Sequence, residues 1–158
     1  MDIPLIEHIK IQARVLVPLV RTLQAELGVE RANALVLKAL GGEYRTFGER
    51  LWNAQETADF GEKMTGSFEK FAAGDALDYE VVQQGEDAFD VNVTRCRYAR
   101  LYQELGVPEL GFLLVCGSDF LMTEGFGADV QLTRTQTIMQ GASHCDFRYS
   151  LKTKDPEA

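Results

Sequence analysis

The chain has 158 residues, with 16 Lys and Arg against 24 Asp and Glu, which gives a formal net charge of −8. Apolar residues make up 46% and charged residues 25%, a mixture typical of one globular domain rather than of a disordered or collagen-like chain. The acidic balance, without any run of Lys or Arg, argues against nucleic acid or an anionic membrane as a partner.

The first half of the chain has the periodicity of helices. An apolar stripe with alternating steps of three and four residues predicts a first helix that ends at Gly28. A second helix is expected from about Glu30 to Ala54, interrupted or bent at Gly41 and Gly42. Because the first stripe is long enough to pair helices between subunits, we expect a homodimer. The first stripe consists of Ile6, Ile9, Ala13, Leu16, Val20, Leu23 and Leu27. A third apolar stripe consists of Phe60, Met64, Phe68 and Phe71.

From Leu77 the apolar period changes to two, which is typical of strands. One predicted hairpin places Tyr79 and Val81 opposite Phe89, Val91 and Val93, and two helices follow, the second beginning at Pro108. A second hairpin then joins the strand of Val130 and Leu132 to that of Phe147, Tyr149 and Leu151. We therefore predict a single α+β domain over residues 1–158. Its N-terminal helices (1–75) pack on an antiparallel sheet made of two hairpins separated by two helices (76–152).

The chain ends and the cysteines indicate a compartment. The N-terminus does not resemble a signal peptide, and the longest apolar runs are far shorter than the ~20 residues that a membrane span needs. Three cysteines, Cys96, Cys116 and Cys145, are an odd number, and their spacing matches neither a disulfide framework nor a Cys-x-x-Cys metal knuckle. We expect a cytoplasmic protein with reduced thiols and no membrane partner.

Each cysteine has a predicted place in the fold. Cys96 lies in the first turn of a helix, where free N–H groups, the helix dipole and two neighbouring arginines favour a thiolate. Cys116 lies within a helix, with Asp119 three residues later on the same face. Cys145 shares the parity of Phe147 and should face the buried side of the sheet, whereas His144 and Asp146 face away, which makes that string a poor triad.

Several interpretations of these residues stay open. Each thiol alone is readable as a small buried hydrophobe. Two thiols converging with Asp119 would suit a nucleophile with a general acid/base, or a zinc site formed by Cys96, Cys116, Asp119 and Cys145. Arg134, on the inward side of its strand, would suit capture of a carboxylate, but it is also readable as an edge-strand arginine that reaches solvent.

The C-terminal half, from Asp90 to Leu151, resembles the L-2-amino-thiazoline-4-carboxylic acid hydrolase family. The resemblance lies in the order and spacing of the cysteines and in the ending Gly-x-x-x-Cys-Asp-Phe-Arg-Tyr. The ending resembles, more loosely, that of vinyl-reductase-type small-molecule-binding domains, some of which hold zinc. The chain departs from their zinc pattern at Arg134 and Thr137. The matching segments are Val93-Thr-Arg-Cys96-Arg-Tyr-Ala, Tyr102-Gln-Glu-Leu-Gly106, Cys116-Gly-Ser-Asp119, Arg134-Thr-Gln-Thr137 and Gly141-Ala-Ser-His144-Cys145-Asp-Phe-Arg-Tyr149.

The resemblance implies a hydrolase that opens a cyclic amidine or amide at a C–N or C–S bond. A cysteine would be the nucleophile, with Cys116 and Cys145 ranked before Cys96, and Asp119 would bind the amidine and relay a proton. The partner would be a small-molecule substrate, and no cofactor is expected, with zinc as a lesser alternative. The competing functions are a non-catalytic ligand-binding domain of the vinyl-reductase type and a metal-assisted hydrolase. The candidate substrate-binding residues are Arg134, for a substrate carboxylate, and Thr137, Asn92 and His144.

Overall fold

The computed structural model describes residues 2–152 and begins with three helices. These are α1 (Leu5–Leu27), α2 (Val29–Asn53) and α3 (Phe60–Ala72). Gly28 joins α1 to α2 with a φ of 82°, a backbone conformation that favours glycine, so one helix turns directly into the next. Asp59 caps α3 because its carboxylate accepts a hydrogen bond from the backbone N–H of Glu62 at 2.9 Å.

Four strands form one antiparallel sheet in the order β1-β2-β4-β3. The strands are β1 (Leu77–Gln84), β2 (Ala88–Cys96), β3 (Val130–Thr133) and β4 (Cys145–Leu151). Helical segments lie between β2 and β3, and the predicted α+β fold, with two antiparallel strand pairs separated by helices, is confirmed. These segments are α4 (Arg97–Glu104), α5 (Pro108–Gly111), a π-helical turn (Phe112–Cys116) and α6 (Ser118–Phe126), and a 3-10 turn (Ile138–Gln140) precedes β4.

The helices cover one face of the sheet, and this face holds the main core. Alternate residues of β2, namely Phe89, Val91 and Val93, are at most 1% exposed. They pack with Phe68 of α3 and with inward residues of β3 and β4 in one apolar cluster. A second cluster joins α1, α2, α4 and the segment from Val107 to Leu114. Cys96, at the end of β2, packs against both clusters and therefore marks their junction.

The predicted stripe of α1 packs inside its own chain. Its residues Ala13 and Val20 are buried in the second cluster. Another stripe on the same helix stays open: Ile11, Val15 and Leu19 are 62%, 64% and 52% exposed. The homodimer therefore stays a prediction, but the stripe on which it was based packs within the chain and no longer supports it.

The interruption predicted for the second helix is wrong, whereas the pairing predicted for the first hairpin is right. The second helix runs through Gly41 and Gly42 without a break, because tertiary packing along α2 outweighs the weak helix propensity of glycine. The predicted pairing of the first hairpin is confirmed, with Tyr79 opposite Val93 and Val81 opposite Val91, although Val81 is 45% exposed on the edge strand β1. Within residues 2–152, no helix is long and apolar enough to cross a membrane.

Glycines allow α2 and α6 to pack in close contact, which a matched pair of variants tests. A Cβ atom at Gly48 would lie 2.1 Å from the backbone oxygen of Met122, whereas one at Gly42 would meet no atom within 4 Å. We expect Gly48→Ala to lower the free energy of unfolding by about 1–3 kcal/mol. Gly42→Ala, in the same helix, should raise it by roughly 0.5–1 kcal/mol. Urea unfolding measures both, and equal effects would contradict the close packing.

Candidate active site

A cavity of about 300 Å³ lies between the inner face of the sheet and the surrounding helices. Most of its wall is apolar, with residues from α1, α2, α3 and the sheet. Its polar and ionisable side chains come from α1, α2, the start of α4, the π turn, α6, the segment after β3, and β4. The predicted site residues that line it are Cys96, Cys116, Asp119, Arg134, Thr137 and Cys145. The fold therefore brings together the three thiols, the carboxylate and the arginine that the sequence singled out.

Arg134 is the most buried charged group of this site, with a side chain only 3% exposed. Its Nη1 donates to Asp119 Oδ2 at 2.6 Å, and its Nη2 donates to the carbonyl oxygen of Cys116 at 3.0 Å. The guanidinium carbon lies 5.0 Å from the ring centre of Phe120 and 5.2 Å from that of Phe147. The inward direction predicted for Arg134 is confirmed. Asp119, however, already occupies the position where a substrate carboxylate was expected.

Side chains complete the hydrogen bonding of the π turn. The backbone N–H of Gly117 donates to the carbonyl of Phe112 at 2.7 Å, which is the five-residue spacing of a π turn. Tyr44 of α2 donates its hydroxyl to the carbonyl of Leu114 at 3.0 Å, and Arg134 takes the carbonyl of Cys116. These bonds hold Cys116 and Asp119 at the cavity wall, since buried carbonyls need partners.

The carboxyl group of Asp119 is suited to proton transfer near neutral pH. Burial raises the pKa of Asp119 to about 6, although the positive charge and the hydrogen bond of Arg134 act in the opposite direction. Its side chain keeps 20% exposure on the cavity side. A carboxyl group with such a pKa can both accept and release a proton during a reaction.

The three thiols are free and protonated at neutral pH. Burial strongly raises the pKa of Cys116, and the nearby charge of Asp119 adds to the effect. Burial also raises the pKa of Cys145, but a hydrogen bond from the backbone N–H of Ile138 and the charge of Arg134 oppose it. The Sγ of Cys145 accepts that N–H at 3.2 Å. Of the three thiols, Cys145 shows the smallest rise.

The thiolate environment expected for Cys96 is not present. Cys96 is the N-cap of α4, and its Sγ accepts the backbone N–H of Ala99 at 3.4 Å. Burial nevertheless raises its pKa to about 11, because desolvation outweighs the hydrogen bonds from the helix. The neighbouring Arg95 and Arg97 turn to the surface, where Arg95 pairs with Asp78 and Arg97 donates to the carbonyl of Gly74.

The remaining candidate residues take structural positions. Thr137 lines the cavity but caps the 3-10 turn, because its hydroxyl oxygen accepts the N–H of Gln140 at 3.2 Å. Asn92 lies on the outer face of the sheet, where its side-chain oxygen accepts from Arg148 at 2.9 Å. His144 hydrogen-bonds with Ser143 and does not line the cavity.

Asp146 confirms that the His144-Cys145-Asp146 string is split between the two faces of β4. Its carboxylate accepts the N–H groups of Thr135 and Gln136, each at 2.9 Å. Although burial opposes its charge, a hydrogen bond from the Thr135 hydroxyl, together with these two N–H bonds, holds the pKa of Asp146 below its usual range. Asp146 therefore organises the segment that follows β3, away from the cavity thiols.

The residues do not fit the zinc site kept as an alternative. Within residues 2–152, no group of three His, Cys, Asp or Glu side chains has the arrangement needed to hold a metal ion. The Asp119 carboxylate is instead paired with Arg134.

Sequence reasoning missed the aromatic wall and the role of Tyr44. Phe68, Phe71 and Tyr98 line the cavity, although the apolar spacing of the first two indicated only a core helix. Nothing in the sequence around Tyr44 indicated a contact with a turn seventy residues later. The only signal for the π turn was the long apolar run that ends at Cys116.

A sequence model of the family described as L-2-amino-thiazoline-4-carboxylic acid hydrolase matches residues 8–149. The match covers nearly the whole chain, including all the cavity residues that carry charge or a thiol. The chain therefore belongs to this family. No curated protein matches the chain.

The Arg134–Asp119 pair can be tested by a double-mutant cycle. We expect Arg134→Met and Asp119→Asn each to lower the free energy of unfolding by about 3–5 kcal/mol, because each leaves a buried partner unpaired. The double variant should lose less than the sum of the two. The exposed pair of Arg100 and Glu104 gives the control, since Arg100→Met should change stability by less than about 1 kcal/mol. Additive effects at Arg134 and Asp119, measured by chemical denaturation, would contradict the coupling.

Proposed function

We propose that this member of the L-2-amino-thiazoline-4-carboxylic acid hydrolase family is a cytoplasmic enzyme that opens a cyclic amidine or amide by hydrolysis. The observation that carries the proposal is one cavity, in a chain of a hydrolase family, that contains a thiol, a carboxyl group with a pKa of about 6 and a buried arginine. The free thiols suit a reducing compartment.

Cys145 is the nucleophile in this proposal. It accepts a backbone N–H bond from Ile138, and the charge of Arg134 favours its thiolate. Cys116 is less suited, because burial strongly raises its pKa, the charge of Asp119 adds to this effect, and no backbone N–H within residues 2–152 stabilises its thiolate as that of Ile138 does at Cys145. Since all three thiols rest in the protonated form, Cys145 must lose its proton as it attacks, which requires a base in the same cavity.

Asp119 is the base that the cavity offers. Its carboxylate takes the proton of Cys145 while the sulfur forms a bond to the electrophilic amidine or amide carbon. The ring C–N or C–S bond then breaks, and the leaving heteroatom receives the proton from Asp119. Water then attacks the thioimidate or thioester and loses a proton to the same carboxylate, and the bond to Cys145 breaks as its sulfur takes that proton back from Asp119. Arg134 holds Asp119 in place through the 2.6 Å bond.

A second function is favoured by the raised pKa values of all three thiols and by the mostly apolar wall. Such a cavity also suits a domain that binds a small molecule without turnover. Native mass spectrometry of the purified protein separates the two functions. Retention of an unmodified ligand, with no ring opening of any cyclic amidine, would favour binding alone.

The nucleophile is tested by substituting the thiols singly. We expect Cys145→Ser to lower kcat for ring opening of a 2-amino-thiazoline by roughly 10³-fold or more, since loss of a nucleophile removes the covalent route. Cys96→Ser and Cys116→Ser should lower it by much smaller factors. Intact-protein mass spectrometry of acid-quenched turnover should show an adduct in the wild type and none in Cys145→Ser. Full turnover in Cys145→Ser would reject Cys145 as the nucleophile, and full turnover in all three variants would eliminate the covalent mechanism.

The pH dependence tests Asp119. Because the base must be ionised, kcat/KM should rise with pH through about 6 and then level off, since Asp119 is protonated below its pKa and ionised above it. Asp119→Asn should remove this limb together with most of the activity. A rate that is flat from about pH 5 to pH 7 would contradict the role of Asp119 as base.

A further inference from the structure

We propose that the substrate of this cavity is a cyclic amidine or amide that carries an apolar, ring-containing substituent and no carboxylate. The proposal depends on the proposed function for the reacting ring and concerns the rest of the molecule. The proposed substrate differs from the compound in the name of the family, which is a carboxylic acid. Two features carry it: the charge balance of the wall and a continuous aromatic path.

The described wall residues offer no unpaired cation to a carboxylate. Its charged side chains are Glu43, Asp119 and Arg134. Arg134 is 3% exposed and uses both terminal nitrogens inside the protein, on Asp119 and on the carbonyl of Cys116. Asp119 already neutralises this guanidinium, so a substrate carboxylate could bind only through the remaining N–H groups of Arg134, beside the negative charge of Asp119, and this arrangement opposes the binding of an anion. Glu43, on α2, would add repulsion.

Aromatic rings lead away from Arg134 across the inner face of the sheet. The guanidinium carbon of Arg134 lies 5.2 Å from the ring centre of Phe147. The ring centres of Phe147 and Phe68 are 5.6 Å apart, and those of Phe68 and Phe71 are 5.8 Å apart. Tyr98 fixes this end of the path, because its hydroxyl donates to the carbonyl of Phe71 at 2.8 Å. All four aromatic residues line the cavity.

The cavity is large enough to hold a substituent beside these aromatic rings. About 300 Å³ lies at the lower end of the roughly 300–1,000 Å³ typical of small-molecule sites. The reacting ring must lie beside Cys145, Asp119 and Arg134. A substituent on that ring then extends into the part of the cavity that is lined by Phe68, Phe71 and further apolar side chains. Aromatic rings favour offset or edge contacts with other rings, which a ring-containing substituent supplies. The further hydrocarbon comes from Leu5, Ile9, Leu77, Val93 and Val115.

Three compounds with one common ring test the proposal: 2-amino-thiazoline itself, its 4-carboxylate and its 4-benzyl derivative. Binding is measured by calorimetry and turnover by kcat/KM for ring opening. We expect the benzyl compound to exceed the unsubstituted ring by about tenfold or more in both measurements. The carboxylate should be the weakest. A carboxylate that binds or reacts as well as the benzyl compound would overturn the proposal.

Variants locate the effect on the aromatic path. Phe71→Ser should reduce the benzyl-over-unsubstituted preference about tenfold, and the milder Phe71→Leu should shift it in the same direction if the serine variant does not fold. Val82→Ser, at a 57% exposed residue outside the cavity, is the matched control and should leave the preference unchanged. An unchanged preference in the folded Phe71 variants would overturn the proposed path.

The outcomes also separate this proposal from the proposed function. Tight binding of the benzyl compound without ring opening of any of the three would contradict hydrolysis and support the apolar subsite. Ring opening that is fastest with the carboxylate would support hydrolysis and reject the apolar subsite.

Discussion

The ion pair between Arg134 and Asp119 is the interaction on which the site depends. A guanidinium that is 3% exposed needs a counter-charge and further acceptors, because an unpaired buried charge is strongly unfavourable. Asp119 supplies the charge and the carbonyl of Cys116 supplies another acceptor. The pair therefore ties the segment after β3 to the π turn and to α6, while Cys145, at the start of β4, reaches the same cavity by pairing with Val93 of β2.

The same burial determines the chemistry. Desolvation keeps the thiols protonated and raises the pKa of Asp119 to about 6, so the carboxyl group, rather than a preformed thiolate, is the group ready to exchange a proton. Because Asp119 neutralises Arg134, the polar end of the cavity has little net attraction for an anion. In the proposed function, reactivity and substrate selection thus both follow from this burial.

Much of the site was predictable from periodicity. Parity along β3 and β4 placed Arg134 and Cys145 on the inner face, and helical spacing placed Asp119 beside Cys116. These predictions succeeded because a half-buried strand or helix has only one face that can be covered. The family could also be named from the order of motifs in the second half, and the match to residues 8–149 confirms it.

Other features have no signature in the local sequence. The thiolate expected at Cys96 depended on a helix end, but the desolvation that cancels it comes from core clusters built by distant segments. Asn92 was predicted to bind substrate, but it lies on the outer face of the sheet, where it pairs with Arg148. The π turn results from an extra residue in a helix, and its carbonyls are satisfied by Tyr44 and Arg134 from other elements.

The central claim, that a buried ion pair leaves Asp119 as the proton-transfer group, is tested most directly by a carbon-13 NMR titration of its side-chain carboxyl. The signal is assigned by its loss in Asp119→Asn. The account predicts an inflection at about pH 6 in the wild type. An inflection at or below the ordinary value for aspartate, about 3.9, would contradict it.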